Sequence, residues 1–155
     1  MVEPSSDRRA VFRGVVSLAL HDGNLSFGEK RLITKLAMAL RLNDDEPKII
    51  YDSIIEEKIL EKGQSLTISE KLSVYEQVLE TFLINTNKTD DELRMIAYLR
   101  RVFEISDSEH RAILSSLDRQ LEDIVHRNVK QSIRFELKEI NKRLSEILES
   151  VRIQR

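Results

Sequence analysis

The sequence predicts an all-α protein, a pseudo-duplicated helical bundle of six to seven helices with a long C-terminal helix. Three observations predict it. Apolar residues recur three and four apart along most of the chain, the period of a helix with one buried face. Breakers are scarce: four glycines and two prolines, and none of either after Gly63. Finally, the chain repeats itself once, at an offset of 63 residues.

The repeat is read position by position. Val11, Phe12, Val15, Val16, Ala19 and Leu20 fall on Val74, Tyr75, Val78, Leu79, Phe82 and Leu83. Leu32, Ile33, Leu36, Leu40 and Leu42 fall on Met95, Ile96, Leu99, Phe103 and Ile105; Ile50, Tyr51 and Ile54 fall on Ile113, Leu114 and Leu117. Cap residues register too, with Ser26 and Glu29 on Thr89 and Glu92, and Asn43 and Glu46 on Ser106 and Glu109. These matches divide residues 1–120 into two related units, about 6–61 and 68–118, with residues 121–155 as a C-terminal amphipathic helix.

The elements follow in order. A first helix starts after Ser5 or Ser6 and runs to about Leu20, where His21-Asp22-Gly23-Asn24 ends it, because Gly23 can take a positive φ. Ser26, with Glu29 three residues on, forms a capping box for the second helix. Pro47 belongs in the first turn of a third helix, which Ile49, Ile50, Ile54 and Ile55 carry to about Glu61. Thr67 and Glu70 cap a fourth, from Ile68 to about Asn85; a fifth runs from Asp90 to Glu104; Ser106 and Glu109 cap a sixth. Helical pattern then continues to the end, with a bend near residues 117–121.

Composition narrows the function classes. A chain of 155 residues suits one domain and buries roughly 70% of the surface it would expose unfolded. The absence of cysteine excludes disulfides, thiol nucleophiles and thiolate metal sites. Net charge is −2, with no global field suited to nucleic acid, and no nucleic-acid partner is expected. Residues 119–155 hold nine Lys/Arg against six Asp/Glu, which leaves −5 on the rest of the chain. No apolar run reaches the ~20 residues that span a bilayer. The polar start, with Asp7, Arg8 and Arg9, lacks a secretory h-region, so a cytoplasmic protein without a transmembrane segment is expected. The three histidines are scattered without the spacing of a zinc site, and no nucleophile elbow, P-loop or dinucleotide fingerprint is present.

The tail carries an apolar seam, Ile133, Leu137, Ile140, Leu144, Ile147 and Val151, spaced alternately four and three apart. Such a seam must be covered by the body, a second copy or another protein, and these six residues are the candidate interaction surface for a protein partner or homodimer. Upstream, Leu121, Val125, Val129 and Ile133 are each four apart, a drift that suits packing on the body. The basic flank of the tail (Lys130, Arg134, Lys138, Lys142) leaves peripheral membrane contact open.

One loop carries metal-like chemistry. Asp22-Gly23-Asn24-Leu25-Ser26 offers side-chain oxygens at alternate positions, with Glu29 beyond, and a hard cation wants several oxygens converging on one point. Phe27 and Ile33 stand where an EF-hand needs its turn glycine and bidentate glutamate, so a full EF-hand is rejected. What remains is a smaller candidate site for calcium or magnesium, using Asp22, Asn24 and Glu29. Capping explains Ser26 and Glu29 equally well. In the second copy, Asn85-Thr86-Asn87-Lys88-Thr89, the leading acid has become an amide, and no ion is expected there.

The stretch Leu18-Ala-Leu-His-Asp-Gly-Asn-Leu-Ser-Phe-Gly-Glu29, followed by an apolar helix and Leu42-Asn-Asp-Asp-Glu46, resembles the TerB-like domains of tellurium-resistance proteins, related to the N-terminal domain of a membrane-anchored DnaJ-type co-chaperone. The resemblance spans roughly residues 8–120. It implies an all-helical, pseudo-duplicated fold in which Asp22 and Glu29 occupy the acidic positions proposed to bind a metal. Glu92 matches in the second half and Asn85 departs. It also implies a non-enzymatic interaction or scaffold module in a stress-response or chaperone-linked process. The alternative reading is a divalent-metal-dependent enzyme using clustered carboxylates.

Overall fold

A computed structural model of the protein describes residues 7–122, 140 and 142–148; the side chains of Asp22, Asn85, Leu121 and Glu122 lie outside that description. The described residues are all-helical, apart from one isolated bridge between Asp7 and Ser65. Six α-helices follow one another: α1 (Arg8–Ala19), α2 (Phe27–Ala39), α3 (Glu46–Ile55), α4 (Ile68–Asn85), α5 (Asp90–Val102) and α6 (Asp107–Glu122), with a short 3-10 turn (Leu20–Asp22) after α1. Ile140 and residues 142–148 are helical as well.

Local chemistry sets most boundaries. Reciprocal capping boxes start α2, α4 and α5, and Ser106 with Glu109 does the same at α6. Three boundaries differ from the sequence reading. Asp7, rather than Ser5 or Ser6, caps the first helix, accepting from the Arg9 and Ala10 amides. Its other oxygen accepts from Gly63 N–H at 2.7 Å, which ties the helix start to the connection between the two units. The third helix ends at Ile55, not near Glu61, and the fifth at Val102, not Glu104.

Both early stops have one cause. Glu57 and Glu104 take left-handed φ values of 53° and 54°. Each amide folds back on the last turn (Glu57 N–H to Ile54 O, Glu104 N–H to Arg101 O), and the next amide reaches one residue deeper. This is a Schellman closure built without glycine. Arg41 (φ 58°) closes α2 in the same way. Arg41 and Glu104 are repeat mates, so even an unfavourable backbone conformation is shared by both halves.

The core obeys the repeat. Val11, Phe12, Val15 and Val16 on α1, and their mates Val74, Tyr75, Val78 and Leu79 on α4, are all at most 2% exposed. Leu32 and Leu36 on α2 match buried Met95 and Leu99 on α5. Burying a side chain of this size stabilises by roughly 1.5–3 kcal/mol. The halves are interlocked: α2 packs on α4 and α5 packs on α1, so the second helix of each unit covers the first helix of the other.

Candidate functional site

The loop that carries the sequence-predicted cation site joins α1 to α2. Gly23 has φ 88° with open space around it, and its amide donates to Leu20 O at 2.9 Å, so the turn needs glycine for its backbone and not for room. Asn24 is exposed on the loop, and Asp22 closes the 3-10 turn. Glu29 is only 3% exposed. Its Oε1 accepts from Ser26 N–H at 2.9 Å, while Ser26 Oγ accepts from Glu29 N–H at 3.1 Å. Glu29 is thus turned inward by the cap, while Asn24 faces solvent. Among the described residues no group of three or more His, Asp or Glu is placed to hold a metal ion.

The second half repeats the cap with a different loop. Thr89 Oγ1 accepts from Glu92 N–H at 3.2 Å, and Glu92 Oε2 accepts from Thr89 N–H at 3.4 Å. Glu92 is 1% exposed. A Cβ built on Gly28 would stand 2.2 Å from Glu92 Oε1, so the Glu92 carboxylate lies directly against the α2 backbone beside Glu29. The Glu92 carboxylate of the second repeat therefore lies against the first turn of α2, at the residue before Glu29. Helix N-termini carry partial positive charge and unpaired N–H groups, which stabilise carboxylates there. Sequence alone gave the capping role of both acids and not the approach of Glu92 to Gly28; the signal was Gly28 itself, a glycine at a helical position of a chain that has few.

The apolar tail seam is partly accounted for. Ile140 (5% exposed) and Leu144 (1%) belong to the core, and Ile147 packs partly buried against it. Ile133, Leu137 and Val151 lie outside the described residues. Polar anchors fix the segment to α5. Arg143 Nη2 donates to Asp90 Oδ1 at 2.6 Å and to Lys88 O at 2.9 Å, and Arg101 Nε donates to Leu148 O at 3.2 Å. The Arg143 guanidinium holds the Asp90 carboxyl below the usual aspartate range.

Two polar features were missed by the sequence reading. Tyr75 OH and His110 Nδ1 are 2.9 Å apart, both residues buried, with their rings edge to face. Burial pushes the Tyr75 phenol pKa up. The readable signal was tyrosine at the repeat mate of Phe12, since a buried phenol needs a partner. Separately, a cleft of about 550 Å³ opens beside the start of α1, lined by Arg8, Arg9, Arg41, Glu46, Lys62 and neighbouring residues. Two of its guanidiniums are already engaged, Arg8 by Glu70 and Leu40 O, Arg9 by Glu46. The Arg8 hydrogen bond holds the Glu70 carboxyl below its usual pKa.

No helix among the described residues is long and apolar enough to cross a membrane. Comparisons of the chain with protein-family models, with curated proteins and with solved structures gave no match.

Proposed function

We propose that the chain is a non-catalytic interaction module of TerB-like type, working as a scaffold in a stress-response or chaperone-linked process, whose first interhelical loop takes calcium or magnesium through Asp22, Asn24 and Glu29. One observation carries the reading: the buried Glu92 carboxylate lies against Gly28, the residue before buried Glu29, at the junction of α2 and α5. Each acid gives one oxygen to its cap, and a carboxylate keeps lone pairs beyond the one the cap uses. Carboxylate oxygens are the donor chemistry a hard cation takes. In this reading Glu29 would supply the buried oxygen, and Asp22 and Asn24 the loop oxygens, with water filling the remaining positions.

Bound there, the ion would supply positive charge between two helices from different halves. That would hold α2 and α5 together and make their outer faces responsive to ion concentration. The test is a calcium or magnesium titration followed by amide NMR of the full chain. The expected result is a saturable shift of the amides from 22 to 29, with smaller shifts at 89–92, and loss of both in Glu29→Gln. Amides that stay unmoved up to about 1 mM ion, the weak end of protein calcium sites, would overturn the cation reading.

A further inference from the structure

The two halves present the same helix face to different surroundings. On α5 the outward stripe is Asp90, Leu93, Ala97 and Arg101, and Leu93 and Ala97 are 0% exposed. The C-terminal segment is anchored at both ends of this stripe, through Arg143 at Asp90 and through Leu148 O at Arg101. The repeat mates on α2 are Phe27, Lys30, Thr34 and Met38, and all four are exposed, Phe27 at 71% and Met38 at 66%. The stripe that meets a helix in the second half is open in the first.

We infer that this open α2 face docks an acidic amphipathic helix of a partner protein, in the position that the C-terminal segment occupies on α5. The inference rests on the proposed role as an interaction module and names its partner chemistry. Phe27 and Met38 stand three helical turns apart, about 16 Å, the reach of an apolar seam on a helix laid alongside. The exposed charges of α2 around them have one sign. Lys30 and Arg31 are exposed and Lys35 half-buried, Arg31 lies 4.5 Å over the Phe27 ring, and Glu29, the one acid of α2, is buried.

That polarity selects the occupant. The chain's own tail docks on α5 by giving Arg143 to an acid at position 90, and α2 has Phe27 at the matching place. Residues 119–155 carry a net +3, so a second copy's tail would bring cations to a cationic face. An anionic membrane would meet that face but also the body around it, residues 1–118, whose net charge is −5. A helix with an apolar seam flanked by glutamates satisfies both the apolar anchors and the cations, and complementary charge sets its orientation and encounter rate.

The test uses the full chain and two fluorescently labelled amphipathic peptides of about five helical turns, with one leucine seam flanked by glutamates or by lysines. Anisotropy should rise saturably with the glutamate peptide and not with the lysine peptide. The Phe27→Ser/Met38→Ser double variant should weaken binding at least tenfold, and Arg31→Glu with Lys35→Glu should reverse the peptide preference. Circular dichroism checks that each variant keeps its helicity; these side chains are exposed or half-buried, and the charge-reversed pair reports independently of the apolar pair. Equal binding of the two peptides, no binding at millimolar peptide, or affinity unchanged in the variants overturns the proposal. So does Phe27-dependent binding to phosphatidylserine vesicles in place of the peptide, or Phe27-dependent dimerisation. Failure here with the cation-induced amide shifts at 22–29 intact removes the docking face alone; loss of those shifts with peptide binding intact removes the cation site alone.

Discussion

The first half of the bundle and the second carry one core register and two different surfaces. Leu36 and Leu99 occupy matching positions and are both fully buried. Five positions further back along the repeat stand Arg31 and Arg94, and one position before them the halves part company: Lys30 is exposed and Leu93 is buried. The helices are alike; what lies outside them is not. A repeated hydrophobic register fixes how two units interlock, and the residues between the register positions decide what each unit meets next.

The sharpest way to break this comparison is to exchange the diverged pair. Leu93→Lys places an ammonium at a position that is 0% exposed, and should destabilise the protein by at least ~3 kcal/mol, the lost side-chain burial plus the desolvated charge. Lys30→Leu at the matching exposed site should change stability by less than about 0.5 kcal/mol. Urea unfolding of the two variants measures both. Equal effects would mean that the two outer stripes share one environment.

A smaller effect is expected inside the core, where Tyr75 and Phe12 differ by one hydroxyl. Tyr75→Phe makes the second half resemble the first and removes the buried bond to His110. It should cost about 1–2 kcal/mol, since a buried polar partner is left behind. Thermal unfolding followed by circular dichroism checks it, and a gain in stability would show that the bond to His110 is dispensable.

The smallest effect sits at the surface, where the C-terminal segment meets α5. Asp90 has a folded pKa held below its ordinary value by Arg143, so its contribution is present above the unfolded pKa and is lost as pH falls through the folded value, below about pH 4. The amide shifts of residues 142–148 should follow that titration in the parent protein and lose it in Asp90→Asn. Identical titrations in both proteins would mean that the Asp90–Arg143 pair does not hold the segment. The pair is largely exposed, so global stability should barely move.

Much of this molecule was legible in its residues. The all-α class, the repeat, the buried faces of α1, α2, α4 and α5, and the capping boxes at Ser26, Thr67, Thr89 and Ser106 all follow from spacing and side-chain type. Each depends on neighbours within one or two turns, and a sequence displays those neighbours directly. The overlong third helix shows where local reasoning fails. Its apolar residues continue to Ile59, which is 98% exposed, because a Schellman closure at Glu57 stops the helix without glycine or proline to announce it.

The candidate site divides the same way. The sequence by itself determined the acidic loop, the capping role of Glu29 and Glu92, and the apolar seam of the tail. Only the tertiary structure decided that Glu92 rests against Gly28, that Tyr75 meets His110 across 35 positions, and that Ile140 and Leu144 are buried in the chain's own core. It also decided that Leu93 and Ala97 on α5 are buried while their mates Lys30 and Thr34 on α2 are open. A helix encodes which of its faces is apolar, but the occupant of that face is set by how distant helices cross, and that geometry exists only once the two halves have interlocked.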